Sequence, residues 1–108
     1  MNTMVEHVSI EELKEILDKK DNYELIDVRE LSEYESVRIS DSILTPFSSF
    51  EQHINLIGKN VTKYFLCAAG KRALKAAEYL ESLGYKNLYV IDGGLKAWIE
   101  AGYPVECG

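Results

Sequence analysis

The sequence has little of what builds disulfide frameworks or metal sites: two cysteines and two histidines in 108 residues. Cys67 and Cys107 lie far apart in the chain, so no cysteine-based finger is spaced for zinc. His7 and His53 have no ligand spacing to each other, and neither metal nor cofactor is expected. No apolar run approaches about 18 residues, which excludes a membrane-spanning helix. The opening stretch MNTMVEHVSI lacks the cationic start and apolar core of an export signal. Positive charge is scarce as well: 12 Lys and Arg stand against 18 Asp and Glu, a net charge of -6. With no basic stripe, nucleic acid and anionic membrane are not expected partners. Internal repeats, low-complexity tracts and long linkers are also missing. The expectation is a cytoplasmic protein whose thiols stay reduced, and there a working thiol is a better reading than a staple.

What is present fits one globular domain over residues 1–108, with 46% hydrophobic and 28% charged residues. His7-Val8 starts a short edge strand. Ser9 and Glu12 form a capping box for a helix whose inner face carries Ile10, Leu13, Ile16 and Leu17. Tyr23 to Val28 reads as a buried parallel strand and Glu30 to Glu35 as a short acidic helical turn. Ile43 to Thr45 is a brief strand stopped by Pro46. Phe47, Phe50, Ile54 and Ile57 are spaced for a helix that Gly58 ends. Val61 to Leu66 is the most strand-like run, with Cys67 at its end. A loop holding two alanines, Gly70, Lys71 and Arg72 follows. The helix after it has Ala73, Ala76, Ala77, Leu80 and Leu83 on one face and Gly84 as its stop. Leu88 to Ile91 is the last strand, and Gly93-Gly94 turns into a helix around Leu95 to Ala101 with Trp98 inward. Strands alternating with helices predict an α/β fold, an open parallel sheet of about five strands with helices on both faces.

In such a sheet ligands sit beyond the carboxyl ends of the strands, where Cys67 stands. Gly70 permits backbone conformations that a side chain forbids. The loop can then curl round the sulfur and point several N–H groups inward as an anion-holding nest. The following helix adds the positive end of its dipole. These effects together favour a thiolate and any anion approaching it. Ala68 and Ala69 add little bulk, so the sulfur is expected to be open. Lys71 and Arg72 can attract an anionic substrate, Arg72 through its planar fork, or can simply form a solvated first turn. No histidine is near in sequence, so the chemistry is not expected to need a general base. Sulfur transfer fits: a thiolate attacks a sulfane sulfur and becomes a persulfide, as in thiol–disulfide exchange. Hydrolysis would more often show a Cys–His pairing.

Four stretches in order resemble the single-domain rhodaneses, sulfurtransferases of the thiosulfate or persulfide type. They are LIDVRELSEY (Leu25 to Tyr34), CAAGKRA (Cys67 to Ala73), AAEYLESLGY (Ala76 to Tyr85) and VIDGGLKAWIEAGYPV (Val90 to Val105). The resemblance implies a rhodanese-like fold in which Cys67 carries the persulfide. It implies that backbone amides of Ala68, Ala69, Gly70, Lys71, Arg72 and Ala73 stabilise the bound sulfur. Asp27 and Arg29 are implied to lie close to the loop in a supporting role, and a plain structural ion pair is the favoured reading of them. Two departures stand out. Val37-Arg38 replaces the family's usual Gly-His, and Ala73 replaces a common Ser. Related phosphatases place five residues between Cys and Arg; here Arg72 follows Cys67 after four, which suits a sulfur group better than a phosphate.

The expected partners are a small anionic sulfur donor and a thiol or other thiophilic acceptor, with a sulfur-relay protein as the alternative. A regulatory module that keeps the fold without the chemistry is the third reading. Cys107 is expected to be an exposed, idle tail thiol, or else a second thiol that resolves a persulfide on Cys67. Trp98, His7 and His53 read as ordinary packing or surface residues.

Overall fold

A computed structural model describes residues 4–108. The opening stretch read above for an export signal therefore has Met1, Asn2 and Thr3 outside the described residues. Five strands form a parallel sheet: β1 (Glu6–Val8), β2 (Glu24–Asp27), β4 (Ile43–Leu44), β5 (Lys63–Leu66) and β6 (Leu88–Ile91), in the order β1-β6-β5-β2-β4. The central strands β2, β5 and β6 are almost wholly buried, as expected of a parallel sheet covered on both faces. Strand alternation sorts their side chains. Ile26, Phe65, Cys67 and Val90 point to one face, and Leu25, Tyr64, Leu66 and Ile91 to the other.

The first face is covered by α3 (Lys71–Ser82) and a 3₁₀ segment (Phe47–Leu56). Ala73, Ala76, Ala77 and Leu80 of α3 are fully buried, so small side chains bring the helix close to the sheet. α3 ends as expected: Gly84 has φ +90°, its N–H reaches Glu81 O at 3.0 Å, and Tyr85 N–H reaches Leu80 O at 3.0 Å. The second face is covered by α1 (Ile10–Lys19) and α4 (Gly94–Glu100), which meet around Leu13, Leu95 and Trp98. The capping box of α1 is formed, with Ser9 and Glu12 each accepting the other's N–H at 3.0 Å. A short helix, α2 (Leu31–Ser36), follows β2.

Four details differ from the sequence expectations. Residues 47–56 are 3₁₀ rather than α, with a break at Ser49 (φ -130°). Positions 47, 50, 54 and 57 satisfy either period, and an outside anchor meets the segment's first turn: Glu30 accepts both the N–H and the hydroxyl of Ser48. β5 starts at Lys63, not Val61, because Val61 O accepts from the Lys63 ammonium instead of a neighbouring strand. α3 starts at Lys71 directly after Gly70 (φ +109°), so Lys71 and Arg72 are its first turn and not loop. Finally, β3 (Val37–Arg38) pairs antiparallel with β7 (Glu106–Cys107), a ribbon too short to leave a pattern in the sequence.

Among the described residues, no helix is long and apolar enough to cross a membrane. Also among them, no cluster of His, Cys, Asp and Glu could hold a metal ion.

Candidate active site

Cys67 follows the last residue of β5 at the carboxyl edge of the sheet. Its Sγ accepts the N–H of Gly70 at 2.9 Å and the N–H of Ala73 at 3.4 Å. The left-handed Gly70 turns its amide back to the sulfur and opens α3. The other side of the loop is pinned by the start of α4. Leu95 N–H donates to Cys67 O at 2.9 Å, and Lys96 N–H to Ala68 O at 3.1 Å. With those carbonyls held outward, the loop presents amides to the sulfur, which is the arrangement an anionic sulfur needs.

The sulfur is less open than the small side chains suggested. Cys67 is 1% exposed, Ala68 is half-buried and Ala69 exposed. Ala73, whose N–H reaches the sulfur, is fully buried as well.

The loop cations divide. Lys71 is exposed and has no hydrogen-bond or ion-pair partner among the described residues. Arg72 turns its fork to α2, with Nη1 on Glu33 Oε1 at 2.8 Å and Nη2 on Glu33 Oε2 at 3.0 Å. This bidentate bond holds the Glu33 carboxyl down at about 2. It also raises the Arg72 pKa, with smaller contributions in the same direction from the charges of Cys67 and Glu30.

Asp27 and Arg29 lie beneath this arrangement. Asp27 is in register with Leu66, the residue before the cysteine. Arg29 Nη2 meets Asp27 Oδ2 at 2.8 Å and Nε meets Oδ1 at 3.0 Å, with both residues buried. The remaining guanidinium hydrogens reach Val37 O at 2.7 Å and Glu33 O at 3.3 Å. The pair thus holds the middle and the C-terminal end of α2, and α2 carries Glu33 to Arg72.

Sequence reasoning put Cys67 at the strand end and Asp27 beside Arg29, both as found; of the six loop amides expected at the sulfur, those of Gly70 and Ala73 are within hydrogen-bond distance of Sγ. It missed Glu33, whose partner is far away in the chain, and it missed the clamp from Leu95 and Lys96. The Gly93-Gly94 step was the one available signal for that clamp. Arg38, the departure from the family pattern, faces Tyr34 and Glu106, with its guanidinium 5.4 Å from the Tyr34 ring centre and 3.4 Å from the Glu106 carboxylate. Cys107 is exposed, unbonded to Cys67, and in register with Val37. His7 pairs with Asp92 at 2.7 Å, and His53 bonds Ser49 O at 2.9 Å.

Residues 9–101 match the rhodanese-like domain family, and the chain belongs to it. A relative from Saccharomyces cerevisiae, thiosulfate:glutathione sulfurtransferase, is 35% identical over 91% of this chain and 81% of its own length. Bacillus subtilis YrkF, described as a sulfur carrier protein, is 28% identical over 87% of this chain; the match spans only 51% of YrkF. The crystal structure of a rhodanese-related protein from Thermoplasma volcanium superposes with a TM-score of 0.83 at 32% identity, covering 94% of this chain and 97% of that one. Family and relatives together support sulfur transfer as the class of reaction.

Proposed function

We propose that Cys67 is the nucleophile of a sulfur-transfer reaction in which an anionic donor supplies sulfane sulfur and a thiol accepts it. The Cys67 thiolate attacks the outer sulfur of thiosulfate or of a persulfide. The donor's S–S bond breaks, and sulfite or a thiolate leaves with the bonding pair. Cys67 now carries a persulfide, whose outer sulfur takes the place of a small anion within the amide loop. An acceptor thiolate attacks that outer sulfur, and Cys67 leaves as thiolate. Nucleophile and leaving group are anions in both steps, so neither a general base nor a cofactor is required.

The observation that carries this reading is the pair of N–H groups from Gly70 and Ala73 directed at Cys67 Sγ. The exposed Lys71 draws in the anion, and Ala68 and Ala69 line its approach. Asp27 and Arg29 act as positioning residues. Mass spectrometry after incubation with thiosulfate or a persulfide donor is expected to show one added sulfur on Cys67. A Cys67→Ser protein that still transfers sulfur at the wild-type rate would overturn the assignment.

A relay variant of this function, with a protein persulfide as donor, is favoured by the likeness to a sulfur carrier. Under that variant a protein persulfide loads Cys67 much faster than free thiosulfate does.

A further inference from the structure

Of Arg29, Lys71 and Arg72, two are already engaged by carboxylates. Arg29 is held by Asp27, and both terminal nitrogens of Arg72 are held by Glu33. A third carboxylate, Glu30, caps α2 and bonds Ser48, and its charge also reaches Arg72. Lys71, exposed at the start of α3, has no carboxylate partner among the described residues. A planar guanidinium fork suits a compact dianion such as thiosulfate, yet here the fork already holds a carboxylate. The Arg72 charge at the mouth of the site is therefore offset by the Glu33 carboxylate. The loop amides favour negative charge on the reacting sulfur, but the Arg72 fork, held by Glu33, is not free to meet a second negative charge beside it.

We infer that Glu33 is a specificity-determining residue: by holding Arg72 it selects persulfide donors, with one negative charge at the reacting sulfur, over doubly charged thiosulfate. This inference rests on the sulfur-transfer reading above and names its donor class. Glu33 is suited to the role because α2 presents it rigidly. Its Oε1 also accepts the N–H of Glu30 at 2.9 Å, and its carbonyl accepts from Arg29.

The test compares wild type, Glu33→Gln and Glu33→Asp with two donors, thiosulfate and N-acetylcysteine methyl ester persulfide, using the same acceptor. Glutamine keeps an oxygen for the Glu30 N–H and removes the charge. One unit charge at about 8 Å, in a medium between protein and water, separates a dianion from a monoanion by about fivefold. Glu33→Gln is thus expected to raise kcat/KM for thiosulfate about fivefold relative to the persulfide, and the gain should shrink with added salt. Glu33→Asp, which keeps the charge, should hold the wild-type donor ratio. If Glu33→Gln loads sulfur on Cys67 but the donor ratio stays put, or both donors lose equally, Glu33 is only a helix-capping residue and the inference is overturned. Failure of wild type to load Cys67 from either donor removes the sulfur-transfer reading itself, and that result is visible without any Glu33 variant.

Discussion

Gly94 backs directly onto the carbonyl of Cys67. A Cβ placed on Gly94 would collide with that oxygen and would stand 2.6 Å from Ala68 O, and the glycine's φ is +60°. The close approach is what lets Leu95 and Lys96 reach the two loop carbonyls, so the start of α4 and the sulfur cradle are one unit. Gly94→Ala combines left-handed strain with a backbone clash and is expected to cost about 3 kcal/mol. Gly102 shares a left-handed φ of +79° but has nothing within 4 Å of a new Cβ. Gly102→Ala should therefore cost only about 1 kcal/mol. Urea unfolding measures both, and only Gly94→Ala should also slow sulfur loading of Cys67. Equal losses in the two variants would show that strain alone, without the clash, sets the effect.

Asp27 and Arg29 form a pair with side chains 0% and 3% exposed. Removing one partner leaves a buried charge uncompensated, which typically costs about 3–5 kcal/mol. Asp27→Asn should fall in that range by urea unfolding. Asp27→Asn should also raise the exchange rate of α2 amides, because Arg29 holds the Glu33 and Val37 carbonyls. Unfolding of the variant within 1 kcal/mol of wild type, by the about 1 kcal/mol measure usual for exposed pairs, would mean that the buried pair is not a structural keystone.

Much of this architecture was legible in local sequence. Ser9 and Glu12 announced their capping box, Gly84 its helix stop, and the apolar runs their strands, because each signal acts within a few residues. The position of Cys67 at a strand end before Gly70 was readable for the same reason. What stayed hidden depends on partners distant in the chain. Nothing near Arg72 shows that Glu33 will hold it, and nothing near Cys67 shows that Leu95 and Lys96 will hold the loop carbonyls. Apolar spacing at Phe47, Phe50, Ile54 and Ile57 could not separate a 3₁₀ segment from an α-helix. The β3–β7 ribbon pairs only two residues per strand, fewer than any alternation needs to become visible.

Lys63 is the least expected member of the core. It is buried in the first position of β5, at the edge opposite Cys67, and its ammonium donates to Lys59 O at 3.1 Å, Val61 O at 2.5 Å and Lys86 O at 2.6 Å. Burial pushes its pKa down, and the Glu24 charge partly offsets this. Lys63→Met fills the volume but leaves carbonyls short of a donor, at a cost of about 2–3 kcal/mol. Because the site lies at the far end of the strand, the folded fraction should load sulfur at the wild-type rate. A stability loss accompanied by slow loading would contradict this separation.

Glu33 gives the fold an acid-sensitive contact as well as a charge at the site. Its carboxyl is lowered from 4.5 to about 2, chiefly by the bond from Arg72. A depressed folded value means that the contact contributes fully above pH 4.5 and is lost as the pH falls toward 2. The Glu33 side chain is 36% exposed, so solvent screening reduces the contribution to about 0.5–1 kcal/mol. Wild type should exceed Glu33→Gln in stability by that amount at neutral pH, and the gap should close across the acid window. In an Arg72→Met background the two should differ little at any pH in that window, since the partner that lowers the carboxyl is gone. Urea unfolding at a series of pH values reads both comparisons. A gap that persists unchanged to the bottom of the window would assign it to helix capping by Glu33 rather than to its charge on Arg72.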